Sequence, residues 1–348
     1  ICMKNNYNNL RGLIIGCGSI GERHLHNIKK IGIKDIGILD VNKTRVNNLS
    51  KKYSVKKFYD LDSALSFKAD FSIICTFPES HISIANSCIN SGSHIFIEKP
   101  LSTNLKGVIP MLKKAKTKKL KVAVGYNLRF DKGINLLKQK LQRKEIGRPL
   151  SILIKFGHNI KFWRPGTNYR NHYILKKGGG IVLDASHEYD YLRWLFEDEI
   201  KSVYCQTRKI NSIKTETESF ASIILKTKKR LVANLNIDYL RPFYERGCYI
   251  IGEKGSLQWE YNLTKSAWSN YSKKVNSKVI LQLHSKPSEI VFNNKIQVND
   301  MYILEMKNFI ESIISNKKPF VDGFDGLNTL QLGLASLESA KKNKIITL

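Results

Sequence analysis

Short hydrophobic runs alternate with longer amphipathic stretches in the first third of the chain. The runs lie at residues 12–15, 36–39, 71–75, 94–97 and 121–125. The stretches between them repeat hydrophobic positions every three or four residues, at 20–31, 43–52, 81–90 and 105–118. Continuous runs of this length predict buried strands, and the stretches predict helices. This part of the chain therefore predicts a doubly wound parallel sheet with crossover helices.

The pattern changes after an amphipathic stretch at residues 132–144. Further short runs follow without intervening long helices, at 150–156, 202–207, 220–226, 231–237, 249–251 and 256–261. Such a series predicts a second domain with a largely antiparallel sheet. Two helical patterns, at 302–315 and 327–341, close the chain. We therefore predict an α/β protein of two domains, at residues 1–127 and 128–348.

Basic residues strongly outnumber acidic ones. The chain has 58 Lys and Arg against 29 Asp and Glu, a formal net charge of +29 at pH 7. This excess suits a nucleic-acid binder, a membrane-surface protein or an enzyme of anionic substrates. The lysines are dispersed, however, and no helix-turn-helix, zinc finger or aromatic RNA platform accompanies them. A solvated surface is the favoured interpretation, and no nucleic-acid partner is expected.

The cysteines and the hydrophobic segments bear on the cellular compartment. The six cysteines lie far apart and form no metal-ligand spacing, which predicts a reduced chain with no metal site. No apolar run reaches the ~18 residues of a transmembrane helix. The first residues, Ile1-Cys2-Met3-Lys4-Asn5-Asn6, lack the apolar core of a signal peptide. We expect a cytoplasmic protein with no membrane partner.

A glycine-rich motif with the spacing G-x-G-x-x-G follows the first predicted strand. Its cofactor-contacting residues are expected to be Gly16, Gly18, Ser19, Ile20 and Gly21. Glycine permits the tight turn and the close approach of a pyrophosphate, whose charge the helix N-terminus binds. Asp40 ends the next strand, where a carboxylate accepts from ribose hydroxyls and repels a 2′-phosphate. NAD(H) is therefore favoured, and Arg45 keeps NADP(H) open as the alternative.

Two further segments follow strands of the predicted parallel sheet and lie at its ligand-binding edge. The residues expected near the cofactor there are Thr76, Pro78, His81, Glu98 and Lys99. The alternative for His81 is a helix-start residue whose ring contacts solvent or backbone. Lys99 beside a nicotinamide would hold and polarise a substrate oxygen, whereas the alternative is a solvated turn.

Two segments of the second domain suggest substrate contacts. Asp184, His187 and Asp190 recur every three residues after a glycine turn, so one helix would place them on one face, where a carboxylate fixes the imidazole. An irregular aromatic stretch precedes them and contains Trp163, Arg164, Tyr169, Arg170 and Tyr173. Aromatic rings stack on sugars and arginine pairs with carboxylate or phosphate. The alternative is a loop that supports the domain junction or an oligomer.

These motifs together resemble the Gfo/Idh/MocA oxidoreductase family. The matching segments are the glycine motif, Glu98-Lys99-Pro100, residues 125–130 and residues 178–195. The resemblance implies a Rossmann domain at 1–127, followed by an α+β domain at 128–348 for substrate binding and oligomerisation. It also implies catalytic roles for Lys99, for His187 as proton donor and acceptor, and for Asp184. Many members place this histidine four residues after the aspartate, whereas here the interval is three.

The resemblance also implies a substrate class and an assembly. The expected substrate-binding residues are Lys99, Asn127, Arg129, Trp163, Arg164, Tyr169, Tyr173, Asp184 and His187. The residues around His187 look like a branch associated with surface-polysaccharide sugars. We therefore expect an NAD(H)-dependent oxidoreductase of a sugar or sugar nucleotide, acting as a homodimer or homotetramer. A non-catalytic protein that senses NAD or a sugar is the alternative, and the presence of Lys99 and His187 argues against it.

Overall fold

The computed structural model describes residues 7–163, 180–210, 216–262 and 274–348. Contacts between residues divide the chain into two compact units. Unit 1 comprises Ile1–Tyr126 and Tyr302–Asn328, and unit 2 comprises Asn127–Met301 and Thr329–Leu348. Residues 302–328 therefore pack with the N-terminal part of the chain, from which they are distant in sequence.

Unit 1 is built on a parallel sheet with the strand order β3-β2-β1-β4-β5-β6 among the described residues. The strands are β1 (Arg11–Ile15), β2 (Asp35–Leu39), β3 (Lys56–Phe58), β4 (Phe71–Ile74), β5 (His94–Ile97) and β6 (Val122–Val124). The connecting helices are α1 (Ser19–Ile31), α2 (Lys43–Tyr53), α3 (Leu61–Ser66), α4 (His81–Asn90) and α5 (Val108–Thr117). The predicted doubly wound sheet is confirmed. The short elements β3 and α3 had not been predicted.

The sheet of unit 1 is buried because its central strands are mostly apolar. Ile14 of β1 pairs with Ile38 on one side and Ile73 on the other, and all three are fully buried. Phe309 of a C-terminal helix packs on this core, with its ring centroid 5.7 Å from that of Phe96. The burial of such aromatic side chains explains why residues 302–314 join unit 1.

Unit 2 contains a mixed, mostly antiparallel sheet with the order β14-β13-β12-β11-β7-β10-β9-β8-β15 among the described residues. The strands are β7 (Pro149–Gly157), β8 (Ile200–Arg208), β9 (Phe220–Thr227), β10 (Val232–Asp238), β11 (Glu245–Gly252), β12 (Gly255–Asn262), β13 (Lys274–Leu283), β14 (Glu289–Gln297) and β15 (Ile346–Thr347). The pair β7 and β10 is parallel, and the other pairs are antiparallel. The predicted largely antiparallel sheet is confirmed.

Helices account for much of the remaining described part of the chain. The helices are α6 (Lys132–Gln142), α7 (Ile160–Trp163), α8 (Gly180–Asp184), α9 (Ser186–Phe196), α10 (Val298–Ile314) and α11 (Gly323–Lys342). Strands β13 and β14 had not been predicted, and β14 is a mostly exposed edge strand with little hydrophobic alternation. Within the described ranges, no helix combines the length and the apolar character needed to cross a membrane.

Candidate active site

The turn between β1 and α1 forms the first part of the site in unit 1. Gly16 has φ +95°, and a Cβ there would lie 2.7 Å from the carbonyl carbon of Cys75. Gly18 is the N-cap of α1 and has no side-chain capping bond, and a Cβ at Gly18 would meet nothing within 4 Å. Ser19 begins the helix, and Ile20 packs partly on the core. The helix N-terminus is thus open to an anionic group such as a pyrophosphate.

Asp40 follows β2 directly and is buried beside this turn. Its Oδ2 accepts from the Cys17 amide at 2.7 Å and from Arg45 Nη1 at 3.1 Å, and its Oδ1 accepts from the Asn42 amide at 2.8 Å. An open cavity of about 710 Å³ adjoins the turn and includes Gly18, Ser19, Asn42 and Arg45 in its lining. Such a volume suits a nucleotide-sized ligand. The free helix terminus, the open space at Gly18 and the carboxylate after β2 together fit NAD(H).

The loop after β4 carries Thr76 and Pro78 and leads into α4, which begins at His81, and the three side chains have different surroundings. The Thr76 hydroxyl lies 2.8 Å from that of Ser80, and Pro78 begins a 3-10 turn. His81 is fully buried, and its two ring nitrogens each lie 3.1 Å from a backbone carbonyl oxygen, Nε2 from Thr76 and Nδ1 from Pro100. Burial lowers the pKa of His81. The ring therefore contacts two loops of the protein itself, which matches the backbone alternative considered for this residue.

Glu98, Lys99 and Pro100 follow β5 at the same edge of the sheet. The Glu98 carboxylate is buried, with Oε1 2.6 Å from His24 Nε2 and Oε2 accepting from the Lys99 amide at 3.2 Å. Lys99 is half-buried, and its bond to Pro100 is cis. In the sheet, β4 lies between β5 and β1, so the segment carrying Lys99 and the glycine turn leave the same edge on either side of one strand.

Asn127 and Arg129 belong to a 3-10 turn, Asn127–Phe130, at the start of unit 2. Both side chains are buried. The Arg129 guanidinium donates to both carboxylate oxygens of Asp190, at 2.8 and 2.7 Å. Because this pair is buried and bidentate, we do not carry Arg129 into the proposed set of substrate contacts.

Asp184 and His187 lie on two short helices, whereas the sequence pattern suggested one continuous helix. Asp184 ends α8, and α9 begins at Ser186, with Ala185 between them. The expectation of one continuous helix is therefore wrong for Asp184, while His187 and Asp190 lie three residues apart on α9. Asp184 Oδ2 accepts from the Tyr239 hydroxyl at 3.3 Å, and both Asp184 and His187 are buried.

Glu218 holds the start of α8. Its Oε1 accepts from the Val182 amide at 3.1 Å, and its backbone oxygen accepts from the Ile181 amide at 3.2 Å. Burial raises the pKa of Glu218. Gly180, at φ +53°, leaves room for this carboxylate. Glu218, Tyr239 and His24 were missed in the sequence, because nothing in their local spacing connects them with their distant partners.

The aromatic loop remains largely outside the described residues. Arg164, Tyr169, Arg170 and Tyr173 fall in the range 164–179, and only the backbone of Trp163 is described. Their expected substrate contacts therefore stay predictions. Within the described ranges, no group of three or more His, Cys, Asp or Glu side chains is arranged to hold a metal ion.

Comparisons with known proteins identify the family of both parts of the chain. Residues 10–126 match the oxidoreductase family, NAD-binding Rossmann fold, and residues 134–258 match the GFO/IDH/MocA C-terminal domain. Myo-inositol 2-dehydrogenase of Thermotoga maritima is 24% identical, covering 96% of this chain and 97% of that protein. The scyllo-inositol 2-dehydrogenase (NAD(+)) of Bacillus subtilis is 23% identical, covering 97% and 96%.

A solved structure shares the whole fold. The WlbA dehydrogenase from Bordetella pertussis, in complex with NADH and UDP-GlcNAcA, is 21% identical, covers 97% of this chain and 98% of its own, and has a TM-score of 0.80. The glycine turn, the carboxylate after β2 and the match of residues 10–126 to an NAD-binding family agree on the cofactor. The chain belongs to the Gfo/Idh/MocA family of NAD-binding oxidoreductases.

Proposed function

We propose that this protein is an NAD-dependent dehydrogenase or reductase of a secondary alcohol on a sugar-like ring. The observation that carries the proposal is the placement of Lys99 in unit 1. Lys99 leaves the carboxyl end of β5, on the same sheet edge as the uncapped glycine turn. An ammonium at the ligand-binding edge of a dinucleotide fold is suited to hold a substrate oxygen.

The nicotinamide ring of bound NAD accepts or supplies the hydride. The roles of the protein are to bind, orient and move the proton. We assign to Lys99 the stabilisation of negative charge on the substrate oxygen, and to His187 the exchange of the hydroxyl proton. Asp184, held by the Tyr239 hydroxyl, is assigned to orient the substrate or the imidazole. Asn127 stays in the proposed set of substrate contacts.

Cyclic polyols are the first substrates to test, because the two dehydrogenases compared above act on inositols by name. Sugar nucleotides are the second class, suggested by the residues around His187, and a role in surface-glycan biosynthesis goes with that class. The dispersed positive charge of the chain suits an anionic sugar nucleotide without requiring one.

NADH fluorescence tests the proposal. Purified protein with NAD⁺ is offered myo-inositol, scyllo-inositol, simple sugars and UDP-sugars in separate reactions. We expect turnover of at least one, and we expect Lys99→Met to lower kcat/KM by about 100-fold or more, the size of an electrostatic contribution at a reacting oxygen. Lys116→Met, at an exposed position of α5, is the matched control.

The result also separates the enzyme from the alternative. Tight NADH binding without turnover of any substrate would favour a protein that senses NAD or a sugar. Full turnover by Lys99→Met would remove Lys99 from the site and would leave the family assignment unchanged.

A further inference from the structure

Two buried histidines hold the residues on either side of Lys99. His24 of α1 contacts the side chain of Glu98, and His81 of α4 contacts the backbone carbonyl of Pro100. Both histidines are fully buried, and both belong to unit 1. Lys99 therefore extends from a segment that is fixed at both ends by groups far away in sequence.

The contact of His24 with Glu98 joins two polar groups inside the domain. Nε2 of His24 lies 2.6 Å from Oε1 of Glu98, and His24 Nδ1 has no hydrogen-bond partner among the described residues. The bond therefore uses the tautomer with its proton on Nε2, which donates to the carboxylate. An apolar side chain would fill this position without burying polar atoms, so the cost of burying His24 indicates that its bond to Glu98 has a use.

Glu98 transmits this contact to the backbone of Lys99. Its second oxygen accepts from the Lys99 amide at 3.2 Å. A Cβ at Gly125 would lie 3.2 Å from that same oxygen, so the backbone of Gly125 closes the space on the other side of the carboxylate. The carboxylate thus has little freedom to turn away from Lys99, and His24 fixes which way it faces.

His81 fixes the other end. Its Nδ1 lies 3.1 Å from the Pro100 carbonyl oxygen, and its Nε2 lies 3.1 Å from the carbonyl oxygen of Thr76. The ring thereby ties the segment of Lys99 to the loop that follows β4. A neutral imidazole donates to one of these oxygens at a time, and either bond keeps the ring between the two loops.

We propose that His24 and His81 are positioning residues for Lys99, which hold the Glu98–Pro100 segment so that the ammonium meets the substrate oxygen. This inference rests on the proposed function, because it takes Lys99 to be the group that binds that oxygen. Neither histidine needs to touch substrate or cofactor. A displacement of about 1 Å at a reacting group costs about 100-fold in rate, so fixing both ends of this segment has a large effect on the rate.

Hydrogen exchange followed by mass spectrometry tests the positioning without any substrate. We expect His24→Phe, which keeps a ring and loses the donor, to accelerate exchange of the Glu98 and Lys99 amides at least fivefold, while the amides of β1 keep their rates. His24→Gln places an amide nitrogen near the position of Nε2, and we expect it to restore slow exchange. His26→Phe is the matched control, since His26 lies on the same helix and is half-buried.

Separate variants test the contributions of His81 and of the Glu98 carboxylate. We expect His81→Phe to accelerate exchange of the Leu101 amide, which follows the carbonyl that His81 contacts. Glu98→Gln keeps the size of the side chain and weakens the acceptor, so we expect it to accelerate exchange of the Lys99 amide even if His24→Phe does not fold. Unchanged exchange at Lys99 in the folded variants would overturn the proposal, as would equal acceleration throughout unit 1.

A double-mutant cycle with myo-inositol and NAD⁺ tests the connection to Lys99. We expect His24→Phe to lower kcat/KM at least tenfold in the chain with Lys99, and less than twofold in the Lys99→Met background, because a positioning residue has no effect once its target is absent. We also expect His24→Gln to recover most of the rate. Equal losses in both backgrounds would show a general structural role and would overturn the proposal.

The two methods separate the possible failures. If the wild-type protein does not oxidise myo-inositol, the proposed function fails for that substrate, and hydrogen exchange still decides whether His24 and His81 hold the segment. If the enzyme is active and Lys99→Met has no effect, the role of Lys99 is wrong. If Lys99→Met is inactive while His24→Phe keeps wild-type amide exchange rates and wild-type kcat/KM, only the positioning proposal is wrong.

Discussion

Arg129 binds Asp190 through two hydrogen bonds, from Nε to Oδ2 at 2.8 Å and from Nη2 to Oδ1 at 2.7 Å. The side chains are 4% and 1% exposed. The pair joins the 3-10 turn that begins unit 2 to α9, the helix on which His187 lies. A contact between residues 61 positions apart thus fixes the helix of the proposed acid and base.

Removal of either partner of this pair is expected to destabilise unit 2. Arg129→Met leaves the Asp190 carboxylate buried with its main cation gone, which costs about 3–5 kcal/mol for a buried pair. Urea unfolding followed by circular dichroism measures the loss. Lys342→Ala breaks an exposed pair with Glu338 and is expected to cost less than about 1 kcal/mol. Similar losses from the two variants would contradict the importance of the buried pair.

The stability of unit 2 is expected to depend on pH through Asp131, which caps α6 by accepting from the Ile134 amide at 2.9 Å. Burial raises the pKa of Asp131 from 3.8 to about 6. The folded chain therefore holds this proton more tightly than the unfolded chain, and the free energy of unfolding falls as pH rises from about 4 to about 6. Asp131→Asn keeps the capping oxygen and has no charge to bury.

Urea unfolding at two pH values checks this expectation. Near pH 4 the Asp131→Asn variant should match the wild type, and at pH 7 it should be more stable by up to about 3 kcal/mol, the equivalent of about two pKa units. Asp60→Asn is the control of opposite sign, because hydrogen bonds from Ser63 lower the pKa of exposed Asp60, so its stabilisation is lost as pH falls. If the free energies of unfolding of Asp131→Asn and the wild type differ by the same amount at both pH values, the raised pKa of Asp131 does not control the stability of unit 2.

Cofactor preference is expected to follow from Asp40. We predict that NAD(H) binds at least ten times more tightly than NADP(H), because the buried carboxylate repels a 2′-phosphate. A tenfold ratio requires about 1.4 kcal/mol. Calorimetry should show a smaller preference for NAD(H) over NADP(H) in Asp40→Ser. The control Asp35→Ser, at the start of β2, should keep the wild-type preference. Equal affinities of the wild type for NAD(H) and NADP(H) would contradict the role of Asp40 and would favour Arg45 as a contact of the 2′-phosphate.

Replacement of His187 is expected to slow the chemistry without weakening the cofactor site. His187→Asn should lower kcat for alcohol oxidation by about 10²–10⁴, the usual contribution of a general acid or base. The affinity for NADH should hardly change, since the glycine turn and Asp40 belong to unit 1. His284→Asn, at an exposed histidine of unit 2, serves as the control. A full rate in His187→Asn would place the proton transfer elsewhere.

The open face of the second sheet is expected to join copies of the chain. Leu153, Tyr249 and Ile224 are 50%, 40% and 47% exposed on neighbouring strands, although they are apolar. Leu153 pairs with Tyr249 on one side and with Asn234 on the other, and Asn234 pairs with Ile224, so these side chains form a row across the sheet. An exposed row that is mostly apolar is typical of an interface.

Sedimentation at micromolar concentration tests this association. We predict a dimer or tetramer for the wild type and a smaller species for Leu153→Glu. Leu105→Glu changes a similarly exposed leucine of unit 1 and should leave the assembly intact. A wild-type protein that sediments only as a 39.9 kDa species would refute the prediction.

Features that depend on neighbouring residues could be predicted from the amino-acid order alone. Strands that are buried on both faces are mostly apolar, so β1, β4 and β5 were visible as short, largely hydrophobic runs. The turn from β1 into α1 requires glycine at Gly16 for its own backbone geometry, so the motif could be recognised without knowledge of any partner. A polar edge strand such as β14 carries neither signal, and it was missed.

Which polar groups meet depends on the folded arrangement of distant segments. His24 and Glu98 are 74 residues apart, and no local pattern records that they share a hydrogen bond. The break at Ala185 likewise separates Asp184 from the helix of His187, while Glu218, distant in the chain, holds the preceding turn. Pairing of buried charges is determined by which surfaces the packed strands and helices bring together. For that reason the sequence indicated the kinds of side chain in the site, and only the folded chain showed what holds each of them in place.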